Sequence, residues 1–395
     1  MAGHAICRKI PSVYDTHCLG PGLLQTTPVW SRLYCQWRRF VGEDERKDYP
    51  EPAGAKGAGP DSMAGLTVIV TGANSGIGQQ AATIFAKRGA NVVLVCRDPP
   101  PHEQHPNDVI DGILKKHAHV KRENLEWWKV DFTSFDDIKA FGEKWRSSGR
   151  VCDVLCNNAG SAMGPFIHTK DGFEFTHQVN FLAHCLVTLY VLPSMKKARA
   201  PRIVNTCSIF HHAGRLDFSN LNYEKRQKRG LGGVMAYCDT KLYLLMWTRE
   251  LQIRLSRSQE YRHVIAHGIH PGFVASNIWN LPHIRALPRI LIWLLDKLTS
   301  WKAIPPQQGS LAIVNAAVNP ALGFSEKQLA KGTPFIGESA KIGGKFLMRL
   351  KESDHRPEVN DPIATARLWQ RVLEDVKAAE RGVADDLPGP APGLL

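Results

Sequence analysis

Six short aliphatic and β-branched runs, each separated from the next by a helix-length segment, dominate the chain between residues 66 and 269. They are Leu66-Thr-Val-Ile-Val70, Asn91-Val-Val-Leu-Val95, Leu125 to Val130, Val151 to Leu155, Arg202 to Thr206 and Val264 to Ile269. Near-continuous apolar runs of this length suit strands covered on both faces, where a half-exposed strand would alternate apolar with polar residues. The pattern therefore predicts an α/β fold, a single doubly wound domain whose parallel sheet is flanked by helices on both faces.

A chain of 395 residues with 43% hydrophobic content can bury a sizeable core. The formal net charge of +13 raises nucleic acid or an anionic membrane as partners, yet Lys and Arg are interleaved with acids and form no long basic block. No nucleic-acid partner is expected. Nine cysteines without a CxxC pair, zinc-type spacing or secretory signal read as reduced, buried thiols, with no metal site and an intracellular location. No apolar stretch reaches the ~18 to 20 residues of a spanning helix, the longest candidate being Ile290 to Leu295, so a polytopic membrane protein is excluded.

Residues 1–60 read as a flexible or targeting extension that closes in the small-residue stretch Glu51-Pro-Ala-Gly-Ala-Lys-Gly-Ala-Gly-Pro60. Among the first forty, Asp15 is the only acid against Arg8, Lys9, Arg32, Arg38 and Arg39, which leans toward a mitochondrial presequence. Sparse serine and no long amphipathic helix lean the other way, so cytoplasmic, membrane-associated and mitochondrial locations stay open. The domain is expected over residues 61–381, ending in a helix over Ile363 to Arg381, followed by a disordered tail over 382–395. Two insertions stand out, the proline-rich Asp98 to Asp108 and the basic loop Gly214 to Gly233.

Directly after the first run comes Thr71-Gly-Ala-Asn-Ser-Gly-Ile-Gly78, opening a helical segment over Gln79 to Arg88. A strand-to-helix turn of this kind aims backbone N–H groups and a helix N-terminus at a pyrophosphate. Gly72, Asn74, Ser75, Gly76, Ile77 and Gly78 are its cofactor-facing positions, though the Gly-x3-Gly-x-Gly spacing differs from Gly-x-Gly-x-x-Gly. At the end of the second run, Cys96 aligns with the acid that would bind the NAD 2′-hydroxyl, and Arg97 follows. A guanidinium there pairs with a 2′-phosphate, favouring NADP(H) over NAD(H), although Asp98 keeps NAD use open.

Tyr237-Cys-Asp-Thr-Lys241 lies in a helix-like stretch, where a separation of four puts both side chains on one face. An ammonium near a phenol favours phenolate and so eases proton exchange nearer neutral pH.

The phosphate loop, Asn157-Asn-Ala-Gly160, Asn180, Ser208 and the Tyr-Lys pair occur in an order similar to that of the short-chain dehydrogenase/reductase family, over roughly Leu66 to Met348. Arg202-Ile-Val-Asn-Thr-Cys-Ser208, Ala236 to Leu242, His270-Pro-Gly-Phe-Val274 and Pro306-Gln-Gln-Gly309 resemble its retinol dehydrogenase and WW-domain oxidoreductase branch. The resemblance implies a Rossmann-type domain with Asn180, Ser208, Tyr237 and Lys241 as catalytic groups. By it, Tyr237 is the proton donor in reduction, Ser208 binds the substrate oxygen, and Lys241 binds the nicotinamide ribose while lowering the tyrosine pKa. Asn180 holds a water linking Lys241 to solvent. Asn158, Ala159 and Gly160 line the cofactor, Asp131 and Phe132 meet adenine, and Pro271, Gly272 and Val274 lie near the nicotinamide.

Departures from the family pattern are small. Cys207 replaces a frequent serine, and Ala183 stands where glycine often follows Asn180. Cys207 and Cys238 read as packing, and His211 and His212 as loop structure. Ile284 to Trp301 is rich in Leu, Ile and Trp with interspersed basic residues, and reads as a lid over a lipophilic carbonyl or alcohol with peripheral membrane contact through Trp293 and Trp301. A homo-oligomer stays open. The rival readings are a catalytically silent NADP-binding regulator or scaffold and a nucleotide-binding methyltransferase; the intact tetrad argues against the first and the Tyr-Lys pair against the second.

Overall fold

A computed structural model describes residues 48–388 except 102, 163–165, 227–231, 276–292, 294–296, 298–302, 325, 333 and 386. The six expected strands are present as β1 (Thr67–Thr71), β2 (Asn91–Cys96), β3 (Leu125–Lys129), β4 (Val154–Asn157), β5 (Arg202–Thr206) and β6 (Ile265–His270). They pair in parallel, and two short strands, β7 (Phe346–Met348, parallel) and β8 (Lys351–Glu352, antiparallel), complete an eight-stranded sheet of order 3-2-1-4-5-6-7-8. Strand order reverses between β1 and β4, both paired to each other, so their carboxyl ends flank the crevice where an α/β sheet binds ligands.

Helices cover both faces: α1 (Gly76–Lys87), α2 (Pro106–Lys116), α3 (Phe135–Ser147), α4 (Phe175–Met195), α5 (Gly232–Arg257), α6 (Pro306–Val318) and α7 (Pro362–Asp375). Two apolar clusters fill the layers, one under α3, α4, α5 and α7, the other under α1, α2 and α6. Caps set several boundaries; Asp361 accepts from the amides of Ile363 and Ala364 at 3.0 Å ahead of Pro362, and α7 ends at Asp375, short of the expected Arg381. Trp369 of α7 stacks on Trp247 of α5 with centroids 5.6 Å apart.

Two expectations need correction, on membrane-length apolar helices and on the extension, and one insertion gains definition. Among the described residues α4 is a helix long and apolar enough to cross a membrane, beyond the Ile290 to Leu295 run; its apolar window is 89% buried in the fold, as a core helix requires. The proline-rich insertion after β2 runs into a helix, because His105 caps α2 and Pro106 starts it. Tyr49 to Gly54, expected within the flexible or targeting extension, pack on the domain. Buried Arg88 donates to Glu51 Oε1 at 2.6 and 2.9 Å and to the Pro52 carbonyl, and the Tyr49 backbone pairs in both directions with the Gln308 amide. The remaining extension, residues 1–47, most of the lid and the tail from 389 lie outside the described residues.

Candidate active site

Thr71, the last residue of β1, organises the crevice. Its hydroxyl accepts from the amides of Asn158 and Ala159 at 2.8 and 2.9 Å and donates to the Cys156 carbonyl at 3.3 Å, tying the turn after β4 to the phosphate loop. Asn158 Nδ2 returns a bond to the Thr71 carbonyl at 3.1 Å. These close approaches explain two glycines. A Cβ on Gly72, which has φ +64, would lie 2.8 Å from Ala159 Cα, and one on Gly78 would enter the Gly72 carbonyl and stand 2.5 Å from Asn158 Nδ2.

Helix α1 begins at Gly76 after Ser75, whose side chain caps no amide, and its first turn contains no acid. A first turn left with uncapped N–H groups and a positive dipole end fits the diphosphate of a dinucleotide. Asn74, in the same loop, is buried and donates to the Gln104 carbonyl at 3.4 Å, so the insertion after β2 leans onto the phosphate loop.

At the end of β2, Arg97 is half exposed and donates to Glu103 at 2.6 Å, while Lys129 reaches Asp98 at 3.1 Å. Cys96 is a buried thiol pushed up to about 12 by burial, hence neutral. Asp131 Oδ1 accepts from the Thr133 amide and hydroxyl at 2.9 and 2.8 Å. Phe132 is buried and sets its ring edge-on against His184.

The other four residues meet where α4, β5 and α5 converge. Helix α4 carries a π turn over Gln178–Leu182, and Asn180 lies at its centre. The Asn180 side chain bonds Ser161 twice at 2.8 Å, accepting from its amide and donating to its carbonyl. Ser208 follows β5 and caps the 3-10 turn Ile209–Ala213, accepting from the Phe210 amide at 3.2 Å, and its hydroxyl hydrogen-bonds the Tyr237 phenol. Lys241 is buried; its Nζ donates to the Thr206 carbonyl at 2.8 Å and lies 5.5 Å from the centre of the Tyr237 ring. Gly160 closes the group, since a Cβ there would stand 3.3 Å from Asn180 Oδ1 and 3.8 Å from Lys241 Nζ.

Burial governs the charges. It pushes the Tyr237 phenol up to about 12, outweighing the Ser208 hydrogen bond, and pushes the Lys241 ammonium down to about 8. The lowered phenol expected from the Tyr-Lys pair is therefore not the state of the protein alone; here the tyrosine holds its proton. Cys207 is likewise pushed up to about 12 by burial, and Cys238 is raised and buried. His211 is buried and bonds the Ser208 carbonyl through Nδ1 at 2.7 Å.

Beyond the phosphate loop, Gly272 adopts φ +95 and Val274 pairs as a bridge with Ile304. The absent side chain of Gly309 admits Val274, whose Cγ2 would stand 2.6 Å from a Cβ there, which is how the Pro306-Gln-Gln-Gly309 segment seats the Pro271 to Val274 turn. Of the expected lid, Trp293 and Lys297 are described, both helical, with the Trp293 side chain 54% exposed; Trp301 lies outside the described residues. Thr71, Glu103 and His184 were not singled out from the sequence. Thr71 and His184 act through partners 87 and 25 residues away, Glu103 acts through Arg97 across the insertion after β2, and only Thr71 stood inside a recognised motif.

The short chain dehydrogenase family model matches residues 66–220. Human retinol dehydrogenase 13 is 32% identical over 78% of this chain and 83% of its own length, and human retinol dehydrogenase 12 is 36% identical over 78% and 85%. Among solved structures, L-sorbose reductase from Gluconobacter frateurii shares the fold at 19% identity and a TM-score of 0.52, covering 74% of this chain and 98% of its own. With the crevice, the tetrad and these likenesses together, the chain belongs to the short-chain dehydrogenase/reductase family, as a retinol dehydrogenase-like oxidoreductase acting on CH–OH or C=O groups.

Proposed function

We propose that this oxidoreductase prefers NADP(H) and reduces a lipophilic carbonyl compound or oxidises the matching alcohol. The charge arrangement at the end of β2 carries the cofactor reading. Arg97 offers a half-exposed guanidinium where the adenosine ribose would lie, the neutral Cys96 stands where an NAD-selecting acid would, and Lys129 engages the neighbouring Asp98. The relatives named retinol dehydrogenases support an apolar alcohol or aldehyde as substrate.

The phosphate loop and the first turn of α1 would hold the diphosphate, with Asn158 to Gly160 lining the ribose side and Val274 the nicotinamide side. When bound, the nicotinamide supplies or accepts the hydride. Tyr237, protonated at neutral pH, donates its phenolic proton to the substrate oxygen as negative charge develops there. The Ser208 hydroxyl hydrogen-bonds the same oxygen, orienting it and stabilising that charge. Lys241, held by the Thr206 carbonyl, sits beside the phenol and favours the phenolate left after transfer. Asn180, set by the π turn, fixes Ser161 through two hydrogen bonds.

The test is NADPH and NADH oxidation by the full chain against aliphatic and aromatic aldehydes and ketones of rising chain length. The reading requires NADPH over NADH and kcat/KM rising with chain length. Equal use of both cofactors removes the NADP preference, and flat or inverse length dependence removes the lipophilic substrate.

A further inference from the structure

Outside the tetrad, one buried ring touches both walls of the cleft. His184 lies on α4 four residues after Asn180 and is 1% exposed. Its Nε2 is 2.7 Å from the Ala159 carbonyl oxygen, its Nδ1 has no hydrogen-bond partner, and its ring stands edge-on to Phe132 with centroids 5.3 Å apart. A carbonyl only accepts, so Nε2 carries the hydrogen and Nδ1 the lone pair. Burial pushes the ring down to about 3, with Lys241 adding to the effect, so it stays neutral at working pH.

Ala159 is pinned from both sides. Its amide donates to Thr71 Oγ1 on β1 at 2.9 Å, while its carbonyl accepts from His184 on α4. A trans peptide is planar with N–H and C=O opposed, so a carbonyl directed at His184 turns the Gly160 N–H away from α4. Gly160 is the glycine packed against Asn180 and Lys241.

We infer that His184 is a positioning residue for the dinucleotide: it fixes the Ala159–Gly160 peptide so that the Gly160 N–H faces the bound cofactor, and it braces Phe132 on the adenine side at a set spacing. This rests on the proposed nicotinamide dinucleotide. Phenylalanine at the position would keep the ring contact but leave the Ala159 carbonyl without its donor, free to turn. Glutamine would keep a donor.

The experiment measures the Kd of NADPH, the kcat at saturating cofactor and the cofactor-free melting temperature for the full chain, His184→Phe and His184→Gln. His184→Phe should raise the NADPH Kd about tenfold while kcat changes less than about threefold, and His184→Gln should recover most of the affinity. A lowered melting temperature with an unchanged Kd overturns the inference, as does equal weakening in both variants. Nitrogen-15 NMR of the wild-type histidines gives a reading that needs no variant to fold. It should show His184 protonated at Nε2 alone between about pH 5 and 8. An Nδ1–H tautomer or a normal titration overturns the inference. A wild-type chain that binds neither NADPH nor NADH overturns the cofactor reading and this inference together, whereas affinity that ignores His184→Phe overturns this inference alone.

Discussion

Glu103 accepts from Arg97 Nη2 at 2.6 Å, so an acid from the insertion after β2 occupies the guanidinium that would meet a 2′-phosphate. A phosphate entering there must displace it. Because the arginine is half exposed, the competing pair is weak, and Glu103→Gln should lower KM for NADPH by roughly two- to fivefold with NADH unchanged. Arg97→Ala should raise KM for NADPH by about tenfold or more and again spare NADH. Parallel steady-state titrations of both cofactors check the pair of outcomes; an Arg97→Ala enzyme that loses both cofactors equally would show a folding defect in place of a phosphate contact.

Proton transfer should carry the signature of Lys241. Its ammonium is pushed down to about 8 by burial, so it is charged below that pH and neutral above it. If the charge assists Tyr237, kcat/KM for reduction holds level through neutral pH and falls above about 8, and Lys241→Arg moves the falling limb upward because a guanidinium keeps its proton. The same depression gives Lys241 a contribution to stability that rises between about 8 and the free value of 10.5, where the unfolded chain binds more protons. The buried thiols Cys96 and Cys207, held at about 12 against 9.0 when free, contribute with the opposite sign above 9.0, so the melting temperature should fall above about pH 9, after the rate has begun to fall, visible by comparing rate profiles with melting curves.

Acid should unfold the protein through buried histidines. His177, His184, His267 and His270 are each pushed down to about 3 by burial, against 6.5 when free, so the unfolded chain takes up protons first as pH falls. Each contributes a loss of about 1.4 kcal/mol per pH unit below 6.5. Asp153, Glu174 and Asp375 are raised by burial and contribute with the opposite sign as they bind protons in the fold, but four histidines outnumber them. Melting temperature should therefore drop steadily from pH 6.5 to about 5; a flat profile in that window would contradict the buried neutral rings.

Much of this architecture is legible in the chain itself, and the parts that are not share a cause. Strands β1, β2, β4, β5 and β6 are buried along nearly their whole length and edge strand β3 through Leu125 and Trp128, so each shows in the sequence as a largely apolar run, and the glycine loop and Tyr237–Lys241 spacing follow from local geometry. Strand β7 is three residues long and shows no periodicity, and the π turn around Asn180 shifts hydrogen bonds without altering composition. The contacts of Thr71 with Asn158 and of Arg88 with Glu51 join segments 87 and 37 residues apart, so they exist only once the sheet order is known.

The last of these contacts makes residues 49–52 part of the fold. Arg88 is 1% exposed and faces Glu51, so Glu51→Ala strands a buried guanidinium and should cost about 2 kcal/mol, less than the roughly 3–5 kcal/mol of a fully buried pair because Glu51 is partly open to water. A chain starting at residue 56 should melt like the Glu51→Ala variant, and one starting at residue 48 like the full chain. Equal melting of all three would return residues 48–55 to the status of a linker.

The central claim is that Tyr237 delivers the proton in a hydride-transfer reaction. It is tested most directly by single-turnover NADPH oxidation with an aliphatic aldehyde, comparing the full chain with Tyr237→Phe after NADPH binding to both has been measured. The account predicts unchanged NADPH affinity and a rate lower by about 10²- to 10⁴-fold in the variant. A Tyr237→Phe protein that binds NADPH and turns over at the wild-type rate would contradict it.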